Sequence, residues 1–105
     1  MGKDVRLKLH NKLVGLVGPK VRVYYQPPDG IQLSYPCVIY EFSGITTDWA
    51  DNLAYKKVRN YSITVITQDP DDELPEKIYE AFSGASYDQT LVNDNLYHHI
   101  ITVYI

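Results

Sequence analysis

The chain has 105 residues, 45% apolar and 22% charged, which is the size and balance of one globular domain rather than of a disordered segment. No apolar run approaches the roughly 18 residues that a membrane helix needs, and a single cysteine, Cys37, excludes an internal disulfide framework and any multi-cysteine metal site. The net charge of −3 hides a split: residues 1–25 carry six basic groups against Asp4, a balance of +5, and residues 26–105 carry four against twelve acids, a balance of −8. Such a division fits head-to-tail packing between copies, or two solvated faces of opposite sign. A nucleic-acid-binding module would more usually be basic overall. The basic start, MGKDVRLKLHNKLVGLVG, lacks the continuous apolar stretch and cleavage site of a signal peptide, so a cytosolic history is expected.

In chain order, Val5, Leu9, Leu13 and Leu16 recur at helical spacing and predict a helix over 3–17, stopped by Gly15 and Gly18-Pro19. VRVYY, 21–25, alternates and predicts a strand, and QPPDG after it forbids regular structure. PCVIYEF, 36–42, predicts a second strand with Val38, Tyr40 and Phe42 on one face and Cys37, Ile39 and Glu41 on the other. The stretch 44–54, GITTDWADNLA, reads as irregular. A long third strand lies within 55–67; Tyr61, Ile63 and Val65 alternate with Ser62 and Thr64, whereas YKKVRN is polar and is expected to project as one arm of an extended hairpin.

QDPDD predicts a turn with helix-initiating acids, followed by a helix over 73–82 with Pro75 in its first turn. Its apolar stripe is Leu74, Ile78, Ala81 and Phe82, and Gly84 closes it. Two strands, 86–92 and 96–105, are joined by Asn93-Asp94-Asn95. The order α-β-β-β-α-β-β, read as two meanders each near a helix, predicts an α+β domain: a mainly antiparallel sheet of about five strands flanked by two helices. The whole of 1–105 forms one domain without repeat or linker.

No catalytic or metal-binding constellation is legible, and no cofactor is implied. His98 and His99 are adjacent strand residues that point to opposite faces and cannot easily share a metal; His10 has no partner at ligand spacing. Asp69, Asp71, Asp72 and Glu73 lack the spaced ligands and mid-loop glycine of a calcium loop, so capping and turn roles are expected. Neither G-x-S-x-G nor a phosphate-cradling glycine loop occurs, and Cys37 lies in an apolar run with no histidine nearby. The expectation is a binding or assembly protein, not an enzyme. Ten tyrosines suit half-buried strands and also protein interfaces. Trp49, between Asp48 and Asp51 with Ile45 and Leu53 close by, either folds back on its own domain or anchors in a partner's pocket.

From Leu33 onward, the segments LSYPCVIYEFSGI, ADNLAYKK, YSITVITQDPDDELPEKIYEAF and DNLYHHIITVYI resemble small neck proteins of tailed bacteriophages, the tail terminator or tail completion group. The likeness covers about two-thirds of the chain and rests on a succession of short segments, not on a chemical signature. The N-terminal third shares only an amphipathic helix followed by a strand. The resemblance implies an α+β fold and a structural role. Such proteins form a ring, usually a hexamer, on the head-proximal end of the tail tube, stop its polymerisation and offer a face to the head–tail connector. Implied partners are other copies of the chain, the tube protein, the connector or stopper protein, and DNA passing through the lumen without sequence recognition. No membrane is involved, and the place is the virion neck, assembled in the bacterial cytoplasm.

The contact surface expected on this reading is the hairpin 44–57 with Trp49 as anchor, together with Asp48, Asp51, Leu53, Tyr55, Lys56, Lys57 and Arg59. Either the basic first helix or Lys56, Lys57 and Arg59 would meet acids of the next subunit. Alternatives are a head-completion or stopper protein of the connector, a small ligand-binding or enzymatic α+β domain, and a nucleic-acid module. A convergent polar pocket would favour the second, and steeply salt-dependent DNA binding the third.

Overall fold

The computed structural model describes residues 2–105 except 29, 31, 51 and 52, with backbone alone at 48–50 and 53–56. Helix α1 (Gly2–Val17) and strand β1 (Arg22–Tyr25) are followed by two long strands, β2 (Cys37–Ala50) and β3 (Leu53–Thr67). Helix α2 (Leu74–Ala81) and strands β4 (Ala85–Asn93) and β5 (Leu96–Tyr104) complete the chain. The strands form one sheet in the order β1-β2-β3-β5-β4, parallel between β1 and β2 and antiparallel elsewhere. The α+β class and the element order are those expected from the sequence.

Both helices lie on one face of the sheet. Leu9 and Leu13 of α1, with Ile78 of α2 and Phe82 just after it, share a single buried cluster with Val38 and Tyr40 of β2, Tyr61, Ile63 and Val65 of β3, and Ile101 and Val103 of β5. This is the face that strand alternation assigned to the interior, and each aliphatic side chain so buried contributes about 1.5–3 kcal/mol. Among the strand residues named, Phe42 is the exception: at 36% exposed it lies beyond the helices. Tyr40, fully buried, keeps its hydroxyl satisfied by His10 Nδ1 at 2.8 Å. Burial raises its pKa, and the neighbouring Arg6 guanidinium opposes that shift.

Local chemistry explains the ends of α2. Asp72 Oδ1 accepts the Leu74 N–H at 2.9 Å and Asp69 Oδ1 accepts the Asp71 N–H at 2.9 Å, both turns formed two residues on, while the N-cap residue Glu73 makes no side-chain cap bond. Pro75 is buried in the first turn, where a missing N–H breaks no helical bond. Gly84 does not close the helix. The chain leaves α2 at Phe82, which is already extended (φ −114°, ψ 129°). Gly84 instead lies so close to β5 that an added Cβ would be 2.9 Å from the Tyr104 carbonyl oxygen.

Three other expectations are corrected. Gly15 lies inside α1, which runs on to Val17. The first three strands are not a meander, because β1 runs parallel to β2 and the segment between them crosses over. Residues 44–54 are not irregular: β2 runs through to Ala50, and β3 starts at Leu53. The strand bulges at Gly44 rather than ending there. The register moves from Phe42↔Tyr61 to Gly44↔Asn60, leaving Ser43 as the extra residue, and Gly44 takes φ +152°, which a side chain would strain.

Leu13→Ala should lower unfolding stability by about 2–5 kcal/mol, because it empties a fully buried site between α1 and the sheet. Val14→Ala, one residue on and 45% exposed, should stay within about 0.5 kcal/mol of the parent. Urea denaturation of the two variants checks this contrast.

Candidate functional site

The most distinctive feature is the arm made by the far halves of β2 and β3. β1 accompanies β2 only over Cys37–Tyr40, and β5 accompanies β3 only over Asn60–Thr67. Past those points, and past the backbone pair of Arg59 with Ile105, the two long strands pair with each other alone, from Thr46↔Val58 to Ala50↔Leu53. Five residues of strand reach about 17 Å, and the molecule measures 49 Å along its long axis against 24–25 Å across.

Hydrogen bonds brace the arm at its base. Ser43 Oγ donates to the Asn60 carbonyl at 3.0 Å, and Asn60 Nδ2 donates to Thr46 Oγ1 at 2.8 Å. Arg59 and Ile105 exchange two backbone bonds, at 2.8 and 2.9 Å, which join the C-terminus to the same point. The Arg59 guanidinium stacks 4.5 Å above the Phe42 ring, while its buried Nε has no hydrogen-bond partner. Beside this base, Val5, Ile45, Lys57, Arg59 and Ile105 line a cleft of about 300 Å³. An adjoining, mainly apolar cleft of about 330 Å³ runs between the helices over Val5, Leu9, Phe82 and Ile105. Lys8 and Lys12 also line the second, and among the described residues neither cleft sets a nucleophile beside a base.

The sequence-selected contact residues all fall on this hairpin, although Asp51 lies outside the described residues, as do the side chains of Asp48, Trp49, Leu53, Tyr55 and Lys56. The backbone register sets the position of Asp48 opposite Lys56, Thr47 opposite Lys57, Trp49 opposite Ala54 and Ala50 opposite Leu53; Tyr55 falls at a second bulge. Trp49 therefore occupies a strand position near the tip, not a loop. Lys57 is exposed, and Arg59 is held at the base.

Sequence reasoning missed how the fold distributes charge. α1 packs against β1, and α2 packs against β4, so the basic first segment and the acidic α2–β4 segment sit at opposite edges of the sheet. On the β1 side Lys20 and Arg22 are exposed, whereas Lys8 and Lys12 of α1 line the cleft beside Phe82, with Lys12 Nζ 4.4 Å from the centroid of that ring. On the other, residues 69–95 hold eight acids against Lys77 alone, a balance of −7. The charge split was visible in the sequence; only the strand order makes it spatial. Also unforeseen is β4 itself, where Tyr87, Leu91 and Val92 are 37%, 48% and 65% exposed.

The titratable groups that the fold buries have structural roles. Burial pushes the Cys37 thiol up to about 11. His98 and His99 do point to opposite faces, and His99 is buried. Thr67 Oγ1 donates its one proton to the Asp69 carbonyl at 3.0 Å, so toward His99 Nε2, at 3.2 Å, it accepts. This network assigns the imidazole proton to Nε2 and leaves Nδ1 to accept from the Tyr87 hydroxyl at 2.7 Å. A neutral ring thus ties the end of β3 to edge strand β4. Among the described residues, no three His, Cys, Asp or Glu side chains are grouped to hold a metal ion, and no helix is long and apolar enough to cross a membrane.

The sequence matches no protein-family model and no curated protein.

Burial lowers the His99 pKa below 6.5, with Asp72 opposing and His98 adding to the shift. The unfolded chain therefore takes up a proton first as pH falls. The contribution of neutral His99 to stability is complete above its unfolded pKa and declines from there toward the folded one. The urea midpoint should drop between about pH 7.5 and about pH 5.5, and His99→Gln should flatten that slope.

Proposed function

We propose that this chain is a structural assembly protein of a tailed phage: copies form a ring that caps the head-proximal end of the tail tube, stops tube growth and joins tail to head connector. The observation that carries the reading is the projecting arm. A two-stranded ribbon of about 17 Å extends beyond the sheet, and among the described residues the buried cluster reaches no further toward it than Tyr61 on β3 and Tyr40 on β2. It is a means of reaching another molecule. The opposed charges at the two sheet edges and the segments resembling tail terminator proteins favour a copy of the chain and a tail component as the molecules reached.

In this mechanism the ring acts by burying surface. Aromatic and aliphatic groups supply the contact energy, and charge complementarity sets register and suppresses wrong partners. Trp49 at the arm tip is the anchor, and Lys56 and Lys57 behind it meet acids of the partner. The chain performs no catalysis and needs no cofactor. DNA passes through the lumen without sequence being read, as the acidic balance of the chain permits.

Electron microscopy of phage particles made without the protein separates the readings. A missing tail terminator leaves tails of abnormal length; tails of normal length beside leaking, unattached heads would instead identify a stopper on the connector side. Trp49→Ala, and separately Lys56→Glu with Lys57→Glu, should weaken tail capping while leaving the urea midpoint unchanged. Normal capping by both variants would remove the arm from the contact.

A further inference from the structure

Resting on the ring reading, we infer that neighbouring copies join edge to edge, with β1 of one chain alongside β4 of the next, so that the sheet continues from subunit to subunit. Three independent features of the fold converge on this contact. The first is the strand order: β1 and β4 are the two edges of the sheet, and each leaves one row of backbone N–H and C=O groups without a strand neighbour. The second is charge. The β1 edge carries Lys20 and Arg22, while the β4 edge lies beside Glu76 and Glu80 of α2, with Asp88 on the strand and Asp94 at its end. Copies placed β1 to β4 bring opposite signs together, whereas β1 to β1 or β4 to β4 opposes like signs and costs affinity.

The third is the character of β4. Natural edge strands are blunted by charge, proline or a bulge. The first half of β4 has such devices, a register shift between Tyr87 and Gln89 and the charged Asp88, whose carboxylate accepts the hydroxyls of Ser86 and Thr102. The second half, Gln89 to Asn93, has none. It pairs regularly with β5, contains no charge or proline, and exposes Leu91 and Val92. Its five residues match the four of β1. An uncharged edge of that length with Leu91 and Val92 exposed, opposite in charge context to the other edge of the same sheet, is complementary to a second copy.

The contact is heterologous, one edge against a different edge, a geometry that gives a ring where the rotation between copies closes and a filament where it does not, but not a two-fold dimer. It also sets the direction of the arms. Copies add along the hydrogen-bonding direction of the sheet, whereas the arm follows the strand direction, at about a right angle to it. Every arm then leaves the same side of the ring, toward an axial partner.

The test is sedimentation of the full chain over a concentration series, with negative-stain images of the associated species. Lys20→Glu with Arg22→Glu, Glu76→Lys with Glu80→Lys, and Val92→Lys all change exposed positions. Each should weaken self-association by at least about tenfold, and mixing the two charge-reversed pairs should recover mixed assembly. Association of the parent chain that all three variants share unchanged would overturn the edge contact and leave the ring reading standing. A parent chain monomeric at about millimolar concentration would also overturn the edge contact, with the tail morphology of particles lacking the protein deciding the ring reading separately.

Discussion

The register between β2 and β3 is the constraint on which the rest of the structure depends. Val38↔Val65 and Tyr40↔Ile63, with Tyr61 one pair further on, place the buried cluster residues of both strands on the helix-covered face. A slip of one residue would turn Tyr40, Ile63 and Val65 toward the other face and bring Ser62 and Thr64 beneath the helices. Nothing else in the molecule could correct such a slip, because β1 is built on β2 and β5 on β3. The bulge at Ser43 and Gly44 then lets the same two strands continue past the core with their pairing intact. Core and arm are consequences of one hairpin.

The division of labour follows from what each half of that hairpin buries. Near Cys37 and Thr67 the strands lie inside a five-stranded sheet, and their side chains pack under Leu9, Leu13 and Ile78. Beyond Ile45 and Arg59 they have no further strand neighbour, so composition there is less tied to the core. Arg59, stacked on Phe42 and bonded through its backbone to Ile105, marks the joint between the two regimes. The His99 network does similar work at the far edge, where Tyr87 and Thr67 tie β4 to the centre of the sheet. A strand whose own side chains are nearly all exposed needs such a tether.

Much of this was legible in the sequence where local pattern and tertiary burial agree. The spacing of Val5, Leu9 and Leu13 gave α1, and the alternation of Tyr61, Ile63 and Val65 gave the wet and dry faces of β3. Opposite orientation of His98 and His99 needed only the two-residue period of a strand. The arm was half legible. YKKVRN was read as a projecting strand, but its partner GITTDWA was read as a loop because glycine and aspartate outweighed Ile45, Thr46, Thr47 and Trp49, all good strand formers. The parallel pairing of β1 could not be read, since it is set by residues far apart in the chain. The same holds for the two charged edges: the charges are in the sequence, but their separation depends on β5 entering between β3 and β4.

The central claim is that the chain works as a ring at the end of a phage tail. Quantitative mass analysis of purified tails tests it most directly. The account predicts a fixed small number of copies, the same in tails of every preparation and independent of tail length, with the protein confined to the head-proximal end. Tails that lack the protein, or carry it in proportion to their length, would contradict it.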